Sequence, residues 1–278
     1  MLPAEVAAAL LSAALHAGWN AAVKASARPV EAMAAQMLMS AALVLPGLLW
    51  TGLPARASWI WIAASTGMNV LTVSALLHAY ELGGFGVVYP VVRAISILLV
   101  VPLAAQLVGD RLHWAGIAGV GLVAVSLGLL AHGARRGRDL TPKALGWTLL
   151  AGLSTAAYIA CDARGVRLAG SPWAYGFAVS VTNAGAMCWR QRRIATPWRL
   201  LRSNGAVAAP TAVAAVVSYL AILWVWSEAP IAPASALRDT SAAFAILIAV
   251  LWLKEPFTPS RMVAVLLSAA AVPLLRLA

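Results

Sequence analysis

Two arginines stand where the surrounding hydropathy has no use for them. Arg93 and Arg238 lie about a third of the way into long apolar runs, away from the basic clusters of the loops. A charged side chain at a bilayer centre costs about 2.5–3.5 kcal/mol on insertion scales, so each needs a compensating partner. Each is followed three residues later by a serine, Ser96 and Ser241, on the same face of a helix. Asp239 is the acid set well inside a run, a candidate either for proton coupling or for pairing with a neighbouring arginine. The expected role of Arg93, Arg238 and Asp239 is gating, the two arginines closing opposite faces of the membrane. The competing readings are a snorkelling or helix-pinning arginine and a serine that only lets helices approach.

Other polar residues fall into stripes. Ser12, His16 and Asn20 recur every fourth residue with Trp19 alongside, and Ser154, Tyr158 and Asp162 repeat the pattern later in the chain. A stripe of this kind cannot face lipid without leaving polar groups unsatisfied. It faces either a seam between helices or a wet cavity. Asn69, Thr72, His78 and Tyr80 precede the Gly-rich stretch 81–86, and Ser218, Tyr219, Trp224 and Trp226 precede a Pro-rich turn at 227–233. Both stretches favour a bend. His78 suits an interfacial residue or a proton carrier. The substrate-binding candidates are therefore His16, Trp19, Asn20, Asn69, Thr72, His78, Tyr80, Tyr89, Tyr158, Asp162, Ser218, Trp224 and Ser241. Trp19, Trp224, Trp226 and Trp252 are the tryptophans free to face inward; the others sit near predicted helix ends, where aromatic belts form. Aromatic walls around a few polar groups suit an amphipathic solute. No HExxH, GxSxG or phosphate-loop motif is present, and neither Cys161 and Cys188 nor the four histidines suggest a metal cluster or disulfide framework. No enzymatic chemistry and no cofactor is expected.

The elements that must position these residues follow from composition. Of 278 residues, 62% are hydrophobic and 10% charged, with a mean hydropathy of +0.86. An ordinary soluble domain carries about 25% charged residues, so most of this surface must be solvated by lipid. At roughly 28 residues per span plus loop, about ten helices fit and little else. They are predicted near 4–24, 30–50, 58–81, 86–107, 113–132, 143–163, 172–189, 205–228, 232–253 and 259–277. The N-terminus holds Glu5 and no basic run, unlike a secretory signal. The net charge of +11 would suggest nucleic acid in a soluble protein. Here it gathers in loops after odd-numbered helices, notably 135–143 and 190–202, while the other side has Arg56, Arg111, Arg164, Arg167 and Arg276. The positive-inside rule then places both termini outside and calls for no nucleic acid partner.

The chain also repeats itself. Residues 89–110 lie on 234–255 at one constant offset: Arg93 meets Arg238, Ser96 meets Ser241 and Asp110 meets Glu255. The stripe of the first helix meets that of the sixth at nearly the same offset. The unit is five helices, 1–137 and 138–278, and an odd number of spans inverts the copy relative to the original. Inverted repeats with a site between them are the architecture of secondary transporters.

Several short pieces carry a resemblance as well. Trp19 and Lys24 close the first helix, YPVVRA (89–94) opens the fourth, and GDRLHWAGIAGVGLV (109–123) follows it; ALRDTS (236–241) and LKEPF (253–257) are their second-half counterparts. In these the sequence resembles the drug/metabolite transporter superfamily, its ten-helix EamA-type members, over essentially the whole length. Ala94 and Asp239 depart from the residues common in relatives, Gly and Glu. The resemblance implies a small-metabolite exporter, with amino acid export, including an aromatic amino acid branch, as one outcome. The expectation is an all-α membrane protein of ten transmembrane helices in two inverted five-helix repeats. It would act in a bacterial-type inner membrane, with one copy sufficing, and export small amphipathic metabolites such as Phe, Trp, Tyr, Met or Thr by alternating access. The alternatives are an antiporter of phosphorylated or nucleotide sugars, which two arginines on opposite sides fit poorly, and a non-transporting membrane subunit.

Overall fold

Proline and short hydroxyl side chains set the helix starts. In the computed structural model, which describes residues 1–109, 113–136, 141–193, 195–252, 254 and 258–277, the helices are α1 (Pro3–Ala25), α2 (Pro29–Thr51), α3 (Trp59–Leu82), α4 (Phe85–Val108), α5 (Trp114–Arg136), α6 (Pro142–Leu168), α7 (Pro172–Gln191), α8 (Pro197–Glu228), α9 (Ile231–Asp239), α10 (Ser241–Leu251) and α11 (Pro259–Arg276). Pro29, Pro142, Pro172 and Pro197 each occupy a first helical position, where the missing N–H is not needed. Thr141, Ser171 and Thr196 cap α6, α7 and α8 by accepting an amide hydrogen bond one turn in. Gly52 and Gly109 end α2 and α4 with positive φ, a conformation other residues adopt only with strain.

No strand occurs among the described residues. Six helical segments there are long and apolar enough to cross a membrane, the α9–α10 pair being one of them, and α4, α5 and α11 contain shorter apolar runs. Leu49, Trp50, Leu98, Ile117, Trp198 and Leu266 are exposed on the outside, as lipid-facing and interfacial side chains are. The chain is an all-α membrane protein. The acidic residues Asp110 and Glu255 of the repeat, the boundary at 137–138 and Arg111 lie outside the described residues.

Four boundaries differ from the hydropathy reading, α5 running on to Arg136 being one of them. α8 begins eight positions early, because residues 197–204, which include Arg199, Arg202, Ser203 and Asn204, form its first two turns, capped by Thr196. α6 runs on to Leu168, held by Arg167, whose guanidinium donates to the carbonyls of Trp226 and Ala229. The ninth segment is broken at Thr240. There the Thr240 hydroxyl donates to the Leu237 carbonyl at 2.6 Å, and a side chain that captures a carbonyl within its own helix bends it.

Small residues bring several helices close together. Ala9, Ala13, Ala17 and Ala21 run fully buried along one face of α1. A Cβ at Gly152 would stand 2.6 Å from Ile95 of α4, and one at Gly119 would stand 2.7 Å from Leu275 of α11. Close backbone approach of this kind drives helix association where no water is present to be expelled. α3 packs on α6 as α1 packs on α8; α4 packs on α6 as α9 and α10 pack on α1; α2 meets α7, and α5 meets α11.

Candidate functional site

The polar residues of α1, α3, α4, α6, α8 and α9 surround one cavity of about 130 Å3. α1 contributes His16, Trp19 and Asn20, with the Asn20 amide donating to the His16 carbonyl at 2.8 Å. Asn69 and Thr72 come from α3, Tyr89 and Arg93 from α4, Tyr158 from α6, Tyr219 from α8 and Arg238 from α9. Nine of the predicted residues thus meet in one place. Two helices absent from the expected site also take part. α2 supplies Met33, Gln36, Met37 and Ser40, and α7 supplies Ser180 and Asn183. The spacing of 33, 36, 37 and 40 is that of one helix face, and that spacing was the available signal.

The two arginines, expected to close opposite faces of the membrane, both line the same cavity. Arg93 Nη1 donates to Asp239 Oδ1 at 3.2 Å, with both side chains almost fully buried, and the guanidinium lies 5.4 Å from the centre of the Tyr89 ring. Tyr89 in turn donates to Ser241 Oγ at 2.9 Å. Arg238 Nη2 stands 3.3 Å from His16 Nδ1. An arginine can only donate, so Nδ1 is the accepting nitrogen and the imidazole is the neutral form protonated at Nε2. The physical reason for the convergence is reach: both arginines enter near the middle of the bundle, where a guanidinium on a flexible stem bridges α4, α9 and α1.

Arg93 is neutralised by Asp239, but Arg238 is not. Its Nε and Nη1 are buried without a hydrogen-bond partner, as are Trp19 Nε1, Asn69 Oδ1 and Asn183 Oδ1. Donors and acceptors thus line the same cavity, both unspent. Buried polar groups left this way are rare in native proteins, and each calls for an explanation.

The remaining predicted residues lie elsewhere. Ser218 clasps Ser12: each hydroxyl donates to the other residue's carbonyl, at 2.7 and 2.8 Å, and together they pin α1 to α8. His78 stacks on Trp147 with ring centres 4.7 Å apart and turns Nδ1 to the Ser74 carbonyl. Tyr80 packs on Phe85, and its carbonyl receives the Lys24 ammonium. Trp224 packs half-buried against the core. Ser241 and Asp239 hold Tyr89 and Arg93 rather than line the cavity. Asp162 sits behind Tyr219, which donates to its Oδ2 at 2.7 Å. Trp252 is exposed and does not face inward, whereas Trp226 is fully buried with Arg238 5.6 Å from its ring centre. Among the described residues no group of three His, Cys, Asp or Glu could hold a metal ion.

Residues 142–277 match the EamA-like transporter family. No curated protein sequence matches the chain significantly. A crystal structure described only as that of a protein is similar in fold, with a TM-score of 0.69 and 17% identity, covering 99% of this chain and 97% of that chain. The second half of the chain is therefore similar to a family described as transporters.

Proposed function

We propose that this chain, whose second half is similar to the EamA-like transporter family, exports small neutral amino acids, those with aromatic or thioether side chains among them, by alternating access of the central cavity. The observation that carries this reading is the set of unspent groups on its wall. Arg238 Nε and Nη1, with Trp19 Nε1, offer donors to a carboxylate, and an arginine fork fits a carboxylate well. The amide oxygens of Asn69 and Asn183 offer acceptors to an ammonium group. Met33, Met37, Leu76, Tyr89, Tyr158 and Tyr219 supply apolar and aromatic wall for a side chain.

Ten crossings in two inverted halves belong to the same proposal, and loop positions support them. The Ala55 amide donates to the Ala169 carbonyl at 3.1 Å, joining the connection after α2 to that after α6. Residues 26–28, after α1, share a groove with Ser203 and Asn204 at the start of α8. With one crossing per helix, both pairs fall on matching sides. Both termini would then lie outside a bacterial-type inner membrane, and one copy encloses the whole cavity.

Purified protein in vesicles loaded with labelled Phe, Met or Thr is expected to release them faster than protein-free vesicles do, with unlabelled amino acids competing. Losing the charged hydrogen bonds of Arg238 in Arg238→Gln removes about 1.5–3 kcal/mol, so the apparent affinity is expected to fall roughly tenfold to a hundredfold. Failure of every amino acid to move or compete would overturn the reading and also fit the non-transporting subunit. A second reading has its own observation: two arginines lining one cavity suit an organic anion such as a phosphorylated sugar. Competition by sugar phosphates in place of amino acids would favour it.

A further inference from the structure

Asp162 is the buried acid that the cavity does not use directly. It is 1% exposed, and among the described residues no lysine or arginine lies within ion-pair distance of it. Its oxygens are held instead by two phenols: Tyr175 of α7 donates to Oδ1 at 3.1 Å and Tyr219 of α8 to Oδ2 at 2.7 Å. The surroundings are built to fit. Gly165, one turn on, leaves the space that the Tyr175 hydroxyl fills, and a Cβ there would collide with it. The other groups facing Asp162 are Ser65 of α3, Cys161 of its own helix, and Arg238 of α9 at longer range; Tyr158 stands beside Tyr219.

Packing alone does not require a charge at this position. In the first half the corresponding residue of the stripe is Asn20, whose amide is satisfied by a carbonyl of its own helix. Asp239, the other acid at the bundle centre, has a permanent counter-charge in Arg93. Asp162 has none, so burial opposes its ionised form while two phenol donors support it. A carboxyl group held between such opposing influences is suited to exchanging a proton. Tyr219 also lines the cavity, which connects that exchange to whatever the cavity holds.

We propose that Asp162 is a proton-binding site wired to the cavity through the Tyr219 hydroxyl, so that the carrier exchanges substrate for protons. In the loading step a hydronium in the cavity gives a proton to the Tyr219 oxygen as the phenol's own proton passes to Asp162 Oδ2; the O–H bonds of the hydronium and of the original phenol break, new ones form at the phenol oxygen and at the carboxyl, and water is left. The neutral carboxylic acid then donates to the Tyr219 oxygen, and the phenol turns its hydrogen toward the cavity. With Asp162 ionised, the Tyr219 oxygen instead offers the cavity a lone pair beside a negative charge, an arrangement that favours a substrate ammonium. Proton and substrate amino group thereby oppose one another, as exchange requires. This rests on the transport reading above, but its test does not depend on transport alone.

Infrared difference spectra of the purified protein across a pH titration are expected to contain a buried carboxylic acid band that is absent in Asp162→Asn and retained in Asp239→Asn. A band that survives in Asp162→Asn, or disappears only in Asp239→Asn, would overturn the assignment. In vesicles, Asp162→Asn is expected to lose accumulation driven by a pH gradient. Tyr219→Phe keeps the acid but should shift its band and lose the same coupling. If either variant still concentrates labelled Phe with the gradient as well as the wild type does, the proton site or its wiring is wrong. If the band behaves as expected but no amino acid moves, the proton site stands and the substrate reading falls.

Discussion

At the scale of single residues, charge in this bundle is managed by pairing, and the pairs cross between elements distant in sequence. Arg93 and Asp239 come from α4 and α9 and are buried together. Removing one partner of a buried pair strands the other charge, which costs about 3–5 kcal/mol, while removing both is far milder. Arg93→Gln and Asp239→Asn are each expected to lower the unfolding midpoint in detergent clearly, and the double variant to recover much of that loss. A double variant as unstable as both losses added would mean that the two residues act separately. The polar cast of the site was legible because His16, Asn20, Asn69, Thr72 and Arg93 are chemically out of place in apolar runs. Their partners were not: nothing in the spacing of residue 93 and residue 239 says that they touch. Gln36 and Ser40 escaped notice for the opposite reason, being uncharged residues in a run of Met, Ala and Leu that reads as lipid-facing.

Elements were readable wherever proline, a cap or a glycine marks the chain. α2 starts at Pro29 and α7 at Pro172 within a residue or two of where hydropathy alone places them. Hydropathy fails where a helix outruns the apolar segment, as α8 does before residue 205 and α6 does beyond residue 163. The longer α6 puts Asp162 inside the bundle rather than at its rim. Hydropathy fails again at Thr240, where the segment is interrupted and the hydroxyl donates to the Leu237 carbonyl. Contacts between elements use hydroxyl pairs and missing side chains as well as large hydrophobes. The Ser12–Ser218 clasp is one such contact. In a double-mutant cycle of Ser12→Ala and Ser218→Ala, the coupling between the two is expected to be about 0.6 kcal/mol, the average for hydrogen bonds between membrane helices. Each single change should leave substrate affinity intact, because both hydroxyls are spent on the clasp. A loss of affinity in either would return Ser218 to the cavity wall, where the sequence had placed it.

For the whole molecule the decisive relation is between the halves. α1 packs on α8 and α3 on α6, so each half lends its first helix to the third helix of the other, and every wall of the cavity is shared. Two interlocked copies in the same orientation would present equivalent loops on one side of the membrane. Inverted copies present them on opposite sides, and only then can a shared cavity open to each compartment by equivalent motions. The starts of α2 and α7 test this directly, since Arg28 and Ser171 each precede a first-position proline. With Cys161 and Cys188 replaced by serine, Arg28→Cys and Ser171→Cys are expected to react with an impermeant maleimide from opposite faces of oriented vesicles. The basic loops predict that residue 28 labels from the cytoplasmic face. Labelling of both from one face would mean that the halves are not inverted, and alternating access would lose its structural basis even if the cavity still binds an amino acid.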